Sequence, residues 1–83
     1  MKNRLTKLLL DHEFWEQNRH IVVEAMYPDF TKYVYEGLLF AHSKYKRSLT
    51  IDELHDIVLM NNPALTTAQK DLLTQIMGQV QLA

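Results

Sequence analysis

Eighty-three residues, 47% hydrophobic and 23% charged, describe a single small globular domain. Two glycines and two prolines in the whole chain favour helices, and the absence of cysteine excludes disulfides and thiolate metal sites. A net charge of −1 gives no general pull toward nucleic acid or an anionic membrane. The apolar runs fall far short of the ~20 residues that span a bilayer. Leu8–Leu10 followed by Asp11 is no signal-peptide core either, so a cytoplasmic domain is expected.

In chain order, Lys2–Leu10 reads as a short amphipathic helix with Leu5, Leu8 and Leu9 on one face. Asp11 is a good N-cap for a second helix over His12–Met26, where Trp15, Val22, Val23 and Met26 can share a face. Asn18, Arg19 and His20 interrupt that face and mark a place where the helix breaks or bends. Tyr27-Pro28-Asp29 is a boundary, because proline disfavours helix in the residue before it, and Asp29 is expected to cap the next helix.

Residues 29–46 are the expected central helix. Phe30, Tyr33, Val34, Gly37, Leu38, Ala41 and Tyr45 recur at helical spacing, and Tyr35, Leu39 and Phe40 carry apolar surface onto other sides. A helix that is apolar nearly all round is expected to be buried by several neighbours. Gly37 costs about 1 kcal/mol of helix propensity, and close approach of another helix is the expected compensation. Lys44–Ser48 then ends the helix in a basic cluster that suits the negative end of the dipole.

Thr50 and Glu53 fit a capping box, with Leu49 and Leu54 at the positions of a hydrophobic staple. Leu54, Ile57, Val58 and Met60 supply the apolar face of the fourth helix, which Asn61-Asn62-Pro63 stops. Thr66 and Gln69 form a second capping box, and Leu72, Leu73, Ile76, Met77 and Val80 give the last helix its stripe. The expected fold is all-α, a compact bundle of about five helices around the central one.

Chemistry-bearing motifs are sparse. His12, Glu16, His20 and Glu24 would form one polar ridge on a continuous helix, but Glu16 stands where a zinc protease has its second histidine. A solvated ridge is the better reading, and no metal or cofactor is expected. Ser43 and Ser48 lack a glycine-rich elbow, and capping accounts for most of the Asp52, Glu53 and Asp56 cluster. No catalytic residue is assigned. Lys44, Lys46 and Arg47 with Tyr45 have the makings of a phosphate contact with a stacking ring, although a solvated helix end is the simpler account. Tyr35, Leu39 and Phe40 must be covered by the first or last helix or by a partner. The candidate partner-binding residues are therefore Tyr35, Leu39, Phe40, Lys44, Lys46 and Arg47.

The order Leu8-Leu9-Leu10-Asp11, Phe14-Trp15 and Asp29-Phe30 resembles the start of the N-terminal domain of DnaB-type replicative helicases. The downstream run Ser48-Leu49-Thr50-Ile51-Asp52-Glu53-Leu54, with Leu65-Thr66-Thr67 after it, is similar to phage helicases of the T-even-like kind. The resemblance spans residues 5–80. It implies a helical collar on a hexameric, ATP-driven motor that mediates subunit association and contacts primase or a helicase loader. On this reading the ATPase residues lie in a separate motor domain, so the chain is expected to be the N-terminal part of a larger protein. The long helical hairpin that makes much of the family's dimer contact would begin near Ala83, which leaves strong self-association of these residues in doubt. A helicase-binding domain of a primase is the near alternative, disfavoured because the pattern begins almost at Met1. A small nucleic-acid-binding domain is the alternative from another class.

Overall fold

Local capping chemistry sets most of the boundaries in the computed structural model, which describes residues 1–83. Five α-helices succeed one another: α1 (Asn3–Leu8), α2 (His12–Asn18), α3 (Lys32–Tyr45), α4 (Ile51–Asn61) and α5 (Thr67–Leu82). Two single turns of 3-10 helix, Glu24–Met26 and Asp29–Thr31, lie between α2 and α3. There are no strands. The globule measures 35 × 23 × 22 Å, and no helix is long and apolar enough to cross a membrane.

Three N-caps form as their residue types dictate. The Asp11 carboxylate accepts from the Phe14 backbone N–H at 2.8 Å. Thr50 and Glu53 complete a reciprocal capping box at 3.1 and 3.0 Å, and Thr66 and Gln69 repeat it at 3.1 and 2.9 Å. Each satisfies backbone donors that the first helical turn leaves without partners. Leu49 and Leu54, the staple pair, are both buried. Asn62 closes the other end of α4, its side-chain amide donating to the Val58 carbonyl at 2.9 Å.

The core is one cluster, and α3 is its spine. Val34, Gly37, Leu38, Ala41 and His42 form its buried stripe. α3 packs on α4, α4 on α5, and α5 returns to α1. Gly37 does what its cost implied. A Cβ there would lie 3.0 Å from Val58 Cγ2 and 3.1 Å from Leu54 Cδ1, so the missing side chain is what lets α4 come close.

Several expectations are corrected. The central helix begins at Lys32, not residue 29, and Asp29 does not cap it. Asp29 sits at φ 54° and opens a 3-10 turn that runs straight into α3, so no separate cap is needed. Nor is α3 buried all round, because α4 covers only one side: Leu39 is 39% exposed and Tyr45 40%. α2 stops at Asn18 and does not reach Met26. The Asn18 side chain donates to the Phe14 carbonyl at 2.9 Å while its own carbonyl accepts from Ile21 and Val22, which ends the helix at the interrupting tripeptide. Helical phase is lost there, so Val22 is buried in the same core cluster as Trp15 while Val23 and Met26 are exposed.

In α1 the inward position is Thr6, whose hydroxyl lies 2.8 Å from the buried Tyr27 hydroxyl. Leu8, roughly 200° round the helix from Thr6, is exposed, whereas Leu9 and Leu10 enter the core from the turn after the helix. Met60 and Leu72 sit at the margins of their stripes and are also exposed.

Candidate protein-interaction surface

The C-terminal end of α3 gathers part of the predicted contact set. The helix closes on Lys46 in the left-handed region, φ 54°, a position more often taken by glycine or asparagine. That turn folds Arg47 back over the Tyr45 ring. The Lys44 ammonium stands 5.2 Å from the Phe40 ring centre and 5.7 Å from that of Tyr45. The Arg47 guanidinium lies 5.6 Å from Tyr45, and the two rings meet edge to face at 6.3 Å. Phe40, Lys44, Tyr45 and Arg47 thus form one cation–aromatic cluster.

Arg47 is already engaged. Its guanidinium grips Glu53 with two hydrogen bonds, 2.6 and 3.2 Å, tying the end of α3 to the capping box of α4. These bonds, with the Thr50 backbone N–H, hold the Glu53 carboxyl at a pKa of about 2 against an ordinary 4.5. A carboxylate stabilised in the fold contributes above its ordinary pKa and stops contributing as it protonates. Acidification from pH 4.5 toward 2 should therefore erode stability in wild type. Glu53→Gln should flatten that limb of an acid-denaturation curve followed by circular dichroism.

The other candidate residues are dispersed. Tyr35 is half-buried and stacks on Tyr27 at 5.5 Å, so its ring is committed to the domain's own core. Leu39 is open on the outer face of α3. Lys46 points to the other side of the helix end, where with Trp15, Glu16, Arg19, His42 and Ser43 it lines a cleft of about 350 Å³ between α2 and α3.

The polar ridge is broken by the end of α2. His12 Nε2 and Glu16 Oε1 remain 3.5 Å apart, but His20 lies past the helix and Glu24 belongs to the next 3-10 turn. No group of three histidine, aspartate or glutamate side chains is arranged to hold a metal ion.

The residue that sequence reasoning missed is His42. It is 1% exposed, lies face to face with Trp15 at 4.7 Å, and has both ring nitrogens occupied. Nε2 is 2.7 Å from the Leu9 carbonyl and Nδ1 is 2.8 Å from His12 Nδ1. Burial pushes its pKa below the ordinary 6.5, with the Leu9 hydrogen bond opposing and His12 adding to the fall. The signal was available, since His42 is one residue past Ala41 and four past Leu38 on the buried stripe. Ser43 shares the cleft with His42, yet no imidazole nitrogen is free to take a proton from it.

No protein-family model, curated protein or solved structure matches this chain.

Proposed function

We propose that this chain is a non-catalytic collar domain of a DnaB-type replicative DNA helicase of the phage kind. It works in the cytoplasm, mediating subunit association and docking primase or a helicase loader. The observation that carries the reading is the ordered pattern Leu8-Leu9-Leu10-Asp11, Phe14-Trp15, Asp29-Phe30 and Ser48–Leu54. Its residues have distinct structural duties: Leu9, Leu10 and Trp15 are core, Asp11 caps α2, and Thr50 and Glu53 cap α4. A pattern held in place by core and caps is what a shared helical scaffold requires, and it leaves partner choice to the outer surface.

The docking surface in this proposal is the end of α3. Lys44 and Tyr45 are exposed there, with the Phe40 ring beneath Lys44. Such a surface suits an acidic segment that carries an apolar anchor. The test is titration calorimetry of the chain against a phage-type primase and a phage-type helicase loader. Lys44→Glu with Tyr45→Ala should weaken binding by at least about tenfold while leaving the circular dichroism spectrum unchanged. No binding by the wild-type chain, or full binding by the double variant, would overturn the assignment of this surface.

Tyr45, exposed between two cations, keeps a direct nucleic-acid contact as the second reading. Single-stranded DNA binding that falls steeply with salt, in place of primase binding, would favour it.

A further inference from the structure

The short helix α2 is held by a small set of contacts. Its one fully buried side chain, Trp15, belongs to the core and rests on His42, and Phe14 packs partly buried against the same core. Just before the helix, the Leu49 backbone N–H donates to the Leu10 carbonyl at 2.9 Å. The start of α2 is tied down by the His12 backbone N–H donating to Ser48 Oγ at 2.9 Å and by the contact between His12 and His42.

Proton positions at the histidine pair are fixed by its partners. A carbonyl can only accept, so His42 Nε2 carries a hydrogen and donates it to the Leu9 oxygen. Neutral His42 then presents a bare lone pair at Nδ1. His12 Nδ1, 2.8 Å away, must supply the hydrogen between the rings. In that arrangement His12 Nε2 bears no hydrogen and has room for one, facing the Glu16 carboxylate at 3.5 Å. Another proton after that has only His42 Nδ1 to go to, and it would set two N–H groups head to head across a hydrogen-bond distance.

We propose that the His12–His42 pair is a proton-limited latch that holds α2 on α3 while the pair carries at most one positive charge and releases α2 when both rings are protonated. The electrostatics around the pair agree with this limit. Glu16 and Asp11 from the α2 side favour positive charge on His42, whereas His12 opposes it; Arg19, 3.5 Å from Glu16, and Lys46 line the same cleft. Burial lowers the pKa of His42, so the docked state loses stability as the pH falls below the ordinary 6.5. Release uncovers Trp15 and His42 and leaves the α3–α4–α5 core closed.

Nitrogen-correlated imidazole NMR and pH-resolved hydrogen exchange on the full chain test this. His42 should appear as the Nε2–H tautomer at neutral pH. Below the pH at which the pair takes its first proton, protection factors of the His12–Asn18 amides should fall about tenfold per pH unit while those of α4 and α5 hold. Trp15, the only tryptophan, should report the same transition in fluorescence.

His42→Gln keeps a donor for the Leu9 carbonyl but cannot titrate, and it should remove the pH response of α2. His12→Gln gives an independent check if that variant does not fold. Its amide can turn either oxygen or nitrogen toward His42, so only the burial of His42 still opposes its protonation and the loss of α2 protection should move to lower pH. Protection of α2 that is independent of pH in wild type, or a wild-type response in His12→Gln, would overturn the proposal.

Discussion

Gly37→Val should destabilise the domain by about 2–3 kcal/mol and lower its melting temperature by roughly 10–20 °C. The Cβ alone would stand 3.0 Å from Val58 Cγ2 and 3.1 Å from Leu54 Cδ1, and both neighbours are fully buried. Neither can move aside without disturbing the α3–α4 contact. A branched side chain adds two methyl groups to the same space and restricts its own rotamer in a helix. Against a total stability of about 4–12 kcal/mol for a chain of this size, the loss is a large fraction. Gly78 provides the control. Nothing lies within 4 Å of a Cβ built there, so Gly78→Ala should stabilise α5 by about 0.5–1 kcal/mol. Thermal denaturation of the two variants side by side separates close packing from helix propensity. Equal effects would remove the packing account of Gly37.

Leu38→Ala should cost about 3–4 kcal/mol, near the upper part of the range for such truncations. Leu38 is fully buried at the middle of α3, the helix against which α4 lies directly. A cavity there has rigid helices around it and little freedom to collapse. Urea denaturation measures the loss. A value below about 2 kcal/mol would mean that the core relaxes around the gap. Leu39→Ala, one residue along on the open face, should change stability by no more than about 0.5 kcal/mol.

That contrast between adjacent leucines marks how far sequence patterning reaches. The stripe over Val34, Gly37, Leu38 and Ala41 was legible because a helix periodicity of three and four selects one face. The capping boxes at Thr50 and Thr66 were legible because they are local, each closing within four residues. Gly37 was legible as a costly residue whose compensation had to be a close neighbour. The candidate surface was legible only as composition. Lys44 over Phe40 is an i, i+4 contact within α3, but Arg47 reaches Tyr45 only because the chain reverses at Lys46, and Tyr35 turns inward only because Tyr27 is packed beside it.

Propensity and periodicity act over a few residues, and they were enough to specify an all-helical domain, its caps, its breaks at Asn18 and Pro28, and most of its core. Which face of α1 points inward was settled by packing, because Tyr27 offers Thr6 a hydrogen bond from 21 positions away. Packing also committed Arg47 to Glu53, and brought His42 to His12 and Leu9 across 30 and 33 positions. Hydrogen bonds between distant side chains have no period in the sequence. They exist only once helix packing brings their partners within reach.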